Sequence, residues 1–345
     1  MRKAILYEKL DHDDVKCTAC NNYCFISKGN TGICGVRKNI NGELHLLVYG
    51  QAAAMYVDPV EKKPLFHFMP REKVFSVGTV GCNFGCEFCQ NWDISQSIKE
   101  AKKKKQFEAV NNFLQYGYKL MPEKIIETCK QRKIPMIAFT YNEPVIFFEY
   151  AYDTMKLAKK EGIKTIFVSN GYESGEALKK LKGYLDAINI DLKSFNPEFY
   201  KKYCKSKLEP VLETIKKCHE LGMWVEVTTL IIPGENDSEE ELEQIAKFIA
   251  SVSKTIPWHV TAFQPQYKML DKKQTPHQKL VKAYETGKKH LKHVYVGNVL
   301  DVERSSTYCS NCNNLLIKRA YHSARPIGLI NDKCRKCKHK LEGVL

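Results

Sequence analysis

The sequence predicts an α/β protein, a partial (β/α)6 barrel of parallel strands with a small cysteine-rich metal element at either end. Short β-branched or apolar runs alternate with amphipathic helical stretches several times over, as βαβ units do. About six such units fit into the 345 residues, too few for a closed eightfold barrel, and parallel strands joined by right-handed crossovers curl into an open one. Eleven of the fourteen cysteines fall into three clusters: one before the repeating units, one at their start and one behind them. Three segments are therefore expected: an extension with a four-cysteine metal element at 1–70, the barrel at 71–300 and a zinc ribbon at 301–345.

The chain is long enough to bury a full core. It has no run of eighteen apolar residues, and its first ten residues lack the apolar region of a signal peptide, so a soluble cytoplasmic protein is expected. Clustered cysteines in such a chain point to metal rather than disulfides. Cys129, Cys204 and Cys218 stand alone in helix-like segments and are expected to be core thiols. The formal charge of +15 comes mostly from lysine, and metal-bound thiolates would reduce it. With arginine scarce, the fork geometry that reads phosphate is scarce too, so nucleic-acid binding is only weakly indicated. A basic face instead suits a small acidic electron-donor protein.

In chain order, residues 15–39 carry Cys17, Cys20, Cys24 and Cys34 with the spacing C-x2-C-x3-C-x9-C, and with glycines that let the backbone wrap a metal closely. Four thiolates close a site. Structural zinc and a second iron-sulfur cluster both satisfy that pattern, and spacing does not choose between them. A structural or electron-relay role is expected rather than a catalytic one. Residues 58–67, Asp-Pro-Val-Glu-Lys-Lys-Pro-Leu-Phe-His, are polar, proline-bounded and poor helix material. They are expected to cross the barrel mouth, with His67 as a hydrogen-bonded loop residue and residues 66–69 and 231–232 lining a dry pocket.

An apolar run at 74–80 predicts a strand, and directly behind it Cys82, Cys86 and Cys89 form a C-x3-C-x2-C trio. Three thiolates on one loop hold three irons of a 4Fe-4S cluster and leave the fourth open, whereas a closed cluster uses four. An open metal position is where a substrate is bound and changed. The competing account is a zinc loop with a borrowed fourth ligand, but zinc ligands usually come paired as C-x2-C. The lysine-rich run at 99–105 is expected to be a solvated linker or helix face.

Further strands are expected at 136–140, 165–169, 187–191, 224–230 and 260–263, with helices at 123–132, 145–161, 175–182, 208–221 and 238–252. Chemistry in such folds sits at the carboxyl ends of the strands. The residues just past each strand are Tyr141, Asn142 and Glu143; Asn170 and Gly171; Asp191 and Lys193; Pro233, Gly234, Glu235 and Asn236; and Gln264. Each alone is a plausible cap or turn residue. Their recurrence at one rim favours a ligand site. In the tail, Cys309-x2-Cys312 and Cys334-x2-Cys337, 21 residues apart, have zinc-ribbon spacing, and Arg319, His322 and Arg325 between them are expected to be solvated loop residues.

The order of the cysteine trio with Phe88 before its last member, then Tyr-Asn-Glu-Pro, Ser-Asn-Gly-Tyr and Asp-Leu-Lys, resembles the pyruvate formate-lyase activating-enzyme branch of the radical S-adenosylmethionine (SAM) superfamily. The N-terminal quartet, the 58–67 stretch, residues 295–299 and the terminal ribbon resemble more narrowly the AmmeMemoRadiSam-system radical SAM proteins. The resemblance covers nearly the whole chain and implies a radical-SAM-type barrel. It implies a 4Fe-4S cluster on Cys82, Cys86 and Cys89, whose open iron binds SAM and whose electron splits it into methionine and a 5′-deoxyadenosyl radical. Glu143 would receive the SAM amino group and Asn170 would face the ribose. Asp191 and Lys193 would lie by the methionine carboxylate, while Asn142 and Gln264 would complete the rim. The sequence departs from the pattern at Gln90 and Gln264, where histidines are expected. A ferredoxin- or flavodoxin-type donor and the other proteins of the AmmeMemoRadiSam system are the implied partners, in an anaerobic setting. The expected reaction is hydrogen abstraction from a small-molecule or lipid-like substrate; the alternatives are activation of a glycyl-radical protein and, in another class, a metal-dependent nucleic-acid-binding regulator.

Overall fold

The computed structural model describes residues 1–345. Their contacts divide them into two compact units, one of Met1–Asp58 with Val74–Asp186 and the other of Pro59–Lys73 with Ala187–Leu345. This grouping cuts across the three segments marked by motif, since residues 59–73 and the ribbon both join the second unit.

In the first unit, β1 (Lys73–Gly78), β2 (Met136–Phe139) and β3 (Lys164–Ser169) run parallel, with Met136 opposite both Val74 and Lys164. All four side chains of β2 are buried, as expected of a strand covered on both faces. Helices α1 (Pro122–Gln131), α2 (Phe148–Lys160) and α3 (Gly175–Leu181) alternate with the strands and each bury one apolar stripe. Their starts follow local chemistry: proline opens α1, and the Ser174 hydroxyl accepts from the Ala177 N–H at the head of α3. The helix expected at 145–161 begins instead with a 3-10 turn, Pro144–Phe147, capped by the Glu143 side chain. Ahead of β1 lie small antiparallel hairpins. One of them, Arg37–Ile40 with Glu43–Leu46, turns at Asn41 and Gly42, whose positive φ angles of 50° and 78° are those of a type I′ hairpin. The lysine run forms the helix Ser97–Lys103, and two of its lysines turn inward, Lys99 donating to the Phe84 carbonyl and Lys102 to the Thr31 hydroxyl.

In the second unit, β4 (Ala187–Asp191), β5 (Trp224–Ile231), β6 (Trp258–Ala262) and β7 (Val294–Gly297) pair in that order, all parallel. Helices α4 (Glu209–Glu220), α5 (Glu239–Val252) and α6 (His277–Lys288) connect them. Ser238 caps α5 by accepting from the Glu241 N–H, three residues on. β7 is a strand beyond the six expected. The lone cysteines Cys129, Cys204 and Cys218 are core residues, as their helical settings predict. No helix is long and apolar enough to cross a membrane.

The segment at 58–67 does not cross a strand mouth. The Phe66 and His67 N–H groups donate to the two oxygens of Glu226, the third residue of β5, so the segment packs on the amino halves of the second unit's strands. Phe66 packs edge-on to His259, the second residue of β6, and so does not line a pocket at the carboxyl ends of the strands. His67 is a hydrogen-bonded buried histidine: its ring meets the Glu342 carbonyl and the Tyr295 hydroxyl, both at 2.6 Å, and burial pushes its pKa down to about 3. Arg319 also departs from expectation. It is fully buried, its guanidinium 4.3 Å from the Phe66 ring and donating to the Phe66 carbonyl, while His322 and Arg325 are exposed.

Candidate active site

β1 ends at Gly78, and the chain turns through Thr79 and Val80 into the cysteine loop. Asn142, just past β2, straps that loop. Its Oδ1 accepts from the Thr79 N–H at 3.2 Å, and its Nδ2 donates to the Thr79 hydroxyl at 3.1 Å and the Gly81 carbonyl at 2.9 Å. Gly81 has a φ of +89°, and a Cβ there would lie 2.6 Å from the Cys34 carbonyl, so only glycine fits. Cys82 and Cys86 are buried and Cys89 is half-buried. Burial pushes the Cys82 thiol up, with the Lys99 ammonium opposing it. Gln90, at the expected histidine position, is exposed.

Behind the trio lies a second layer of buried polar groups from the ends of β2 and β3. Glu143 is 1 % exposed. One carboxylate oxygen accepts from the Val145 N–H at 3.2 Å and the Ser169 hydroxyl at 3.0 Å, and the other from the Asn170 N–H at 2.8 Å. Burial, then repulsion from Glu173, raises its pKa well above the ordinary carboxylate value. Ser169 also donates to Glu173 at 2.6 Å. The Asn170 side-chain amide donates to the Asn83 Oδ1 at 2.8 Å, linking the cysteine loop to the end of β3. Two atoms of this pair, the Asn83 Nδ2 and the Asn170 Oδ1, are buried with no protein partner. Buried polar groups are almost always paired, so an orphaned donor and acceptor side by side mark a place for a ligand.

The first unit thus brings Cys82, Cys86, Cys89, Asn142, Glu143 and Asn170 to one rim. In the second unit Asp191 ends β4, Lys193 follows it, and Gln264 follows β6. There the Lys193 ammonium pairs with Asp191 at 2.9 Å, and Asn236 donates to the Lys193 carbonyl at 2.7 Å, tying the loop after β5 to it. Gln264 is half-buried. Sequence reasoning passed over Asn83, Ser169 and Glu173, although each stands inside or beside a motif already singled out. Their signal lay in being polar at positions that the flanking strands bury.

A cysteine trio at a strand end, backed by buried carboxylate and amide groups, suits an enzyme that works on a ligand at an iron-sulfur centre, since three thiolates would hold three irons and leave the fourth open. The Radical SAM superfamily model matches residues 76–249, and the chain belongs to that superfamily. Its enzymes share a 4Fe-4S cluster and SAM, and draw electrons from a reductant. An uncharacterized protein of Methanocaldococcus jannaschii, MJ0808, is 42 % identical over 350 residues, covering 100 % of both chains. A putative glycyl-radical enzyme activating enzyme of the same organism, MJ1632, is 30 % identical over 222 residues, covering 63 % of this chain and 77 % of that protein. Among solved structures, a radical SAM methyltransferase from Sphaerobacter thermophilus shares the fold, with a TM-score of 0.50 at 13 % identity over 72 % of this chain and 71 % of that one.

Proposed function

We propose that this chain cleaves SAM reductively and uses the resulting radical to abstract hydrogen from a small-molecule or lipid-like substrate. The observation that carries the reading is the cysteine trio backed by the orphaned amide atoms of Asn83 and Asn170 beside a buried carboxylate, Glu143. Cys82, Cys86 and Cys89 would hold three irons of the cluster and leave the fourth for the SAM amino and carboxylate groups. The cluster supplies one electron, and with it the 5′-deoxyadenosyl radical. The protein's part is to bind and orient: Glu143 accepts from the SAM ammonium, Asn170 meets the ribose, Asp191 and Lys193 serve the carboxylate, and Asn142 fixes the cysteine loop. Water must be kept from such a radical, and the burial of Cys82, Asn83, Glu143 and Asn170 serves that end.

The tail quartet holds zinc in this reading. Its four sulfurs lie within 4.8 Å of one another, with Cys309 and Cys337 at 3.5 Å and Cys312 and Cys334 at 3.7 Å. Tetrahedral zinc with bonds of about 2.3 Å sets sulfurs roughly 3.8 Å apart. Fourteen cysteines without a disulfide suit a reducing compartment, which supports a cytoplasmic setting, and a low-potential cluster calls for a ferredoxin- or flavodoxin-type donor and an anaerobic setting.

The test is chromatographic. Anaerobically reconstituted protein, reduced with dithionite, is expected to convert SAM to 5′-deoxyadenosine, and yields no higher than those of a Cys82, Cys86, Cys89 triple-alanine variant overturn the proposal. A second reading, activation of a glycyl-radical protein, is favoured by the similarity to MJ1632. Cell extract separates the two. Stimulation of 5′-deoxyadenosine formation by the low-molecular-weight filtrate supports the small substrate, whereas a glycyl-radical signal arising in the protein fraction supports the activase. The AmmeMemoRadiSam likeness adds that the substrate is to be sought together with the partner proteins of that system.

A further inference from the structure

Cys17, Cys20, Cys24 and Cys34 line one cavity, shared with Arg37 and Asn83. A single tetrahedral ion draws its thiols together, as the tail quartet's are drawn. The N-terminal sulfurs form no group within 4.8 Å. They are also held apart by different anchors. Cys17 pairs with Tyr7 in a hairpin, Cys20 bridges to Glu173, and the Cys34 carbonyl abuts Gly81. Arg37 is buried and paired with Glu149 at 2.8 Å, yet its Nε–H has no partner. A donor and a positive charge at the cavity wall suit the sulfurs of an anionic cluster.

The cavity also adjoins the catalytic loop. The Asn22 side chain, two residues after Cys20, donates to the Asn83 carbonyl at 3.3 Å, next to Cys82. Gly81, on the other side of Cys82, touches the Cys34 carbonyl. A side-chain hydrogen bond from Asn22 and the close approach of the Cys34 carbonyl to Gly81 therefore join the two cysteine loops at both flanks of Cys82.

We propose that Cys17, Cys20, Cys24 and Cys34 hold a second 4Fe-4S cluster, closed by four thiolates, that relays electrons to the cluster of Cys82, Cys86 and Cys89. A low-potential one-electron donor protein is oxidised by one electron and the quartet's cluster is reduced. On transfer that cluster returns to its oxidised state, and the electron reaches the trio's cluster, where SAM cleavage consumes it. No bond or proton changes hands in the relay. The relay role rests on the proposed function; the cluster's presence does not.

Iron and sulfide analysis decides the matter. Reconstituted wild type is expected to hold about eight irons and eight sulfides per chain, and the Cys82, Cys86, Cys89 triple-alanine variant about four of each, with the paramagnetic signal of a reduced 4Fe-4S centre. A Cys20→Ser, Cys24→Ser double variant provides the complement and guards against misfolding of the first: it should lose about four irons and keep the trio's signal. Two zincs per isolated chain, with no sulfide in the triple-alanine variant, overturn the second cluster. For the relay, 5′-deoxyadenosine formation driven by a ferredoxin or flavodoxin should fall several-fold in the double variant while the dithionite-driven reaction holds. Equal loss with both reductants overturns the relay. Wild type with eight irons but no SAM cleavage would sink the proposed function and leave the cluster standing.

Discussion

Glu143 combines two duties in one carboxylate. It caps the turn into α2 and holds the Asn170 N–H, and in the proposed function it accepts from the SAM ammonium. Its pKa is raised by burial first and by Glu173 second, so the folded protein holds a proton there above the ordinary value of 4.5. The sign follows: a carboxyl with a raised folded-state pKa binds more protons folded than unfolded, and stability falls as pH rises from about 5 toward the raised value. Glu143→Gln removes that titration, so thermal melts of the ligand-free variant should lose less stability over this pH range than the wild type, with Glu173 supplying the remaining slope. Matching slopes would show that Glu143 is ionised at ordinary pH. SAM affinity should fall on the order of 10-fold, because the incoming ammonium would displace the proton from Glu143 and the charge-assisted bond so formed is lost in the variant. Calorimetric titration reads that change, and an unaltered affinity would take Glu143 out of the binding site.

At the scale of elements, the N-terminal extension is pinned to α2 by the pair of Arg37 and Glu149, both 2 % exposed, with the Ile5 N–H donating to the same carboxylate at 2.9 Å. A buried pair is costly to break because its survivor is left charged in a poor solvent. Glu149→Ala should therefore cost about 3 to 5 kcal/mol, whereas the double replacement Arg37→Met, Glu149→Leu should recover most of it. Denaturant midpoints of both variants test this, and equal loss in the two would mean that the charges contribute nothing beyond packing. The sequence could not reveal this pair, since nothing in two residues 112 apart marks them as partners. It did reveal the strands and helices themselves. The run 136–139 is apolar because the strand is covered on both faces, 164–169 buries its apolar centre, and proline and serine mark the helix starts. β7 escaped because four residues behind a basic helix leave little periodicity to see.

Across the whole molecule, the chemistry was legible where spacing dictates it and hidden where tertiary contacts do. Three thiolates on one loop announce a cluster by themselves. The partners of those thiolates, such as Asn83 with Asn170, are ordinary amides until the fold orphans two of their atoms. Arg319 shows the converse. A basic residue between two cysteine pairs suggests solvent, but its strand, Leu315–Ala320, carries it beneath Phe66, where it also donates to the Thr307 hydroxyl. The ribbon is therefore a fixed part of the second unit, and not a tail. Cys309→Ala should release about one zinc. Because the freed strand would withdraw Arg319 from its place on Phe66 and Tyr295, the loss should reach beyond the ribbon and lower the main melting transition. A strong zinc chelator applied to the wild type should have the same effect in metal analysis and calorimetry. Zinc loss that leaves the main transition in place, with only a small separate unfolding step, would mean that Arg319 stays docked without its metal. SAM cleavage in the folded variant should persist, since the trio stands in the first unit with its own set of buried partners. Abolition of cleavage in a variant that keeps its iron would bring the ribbon into the catalytic machinery.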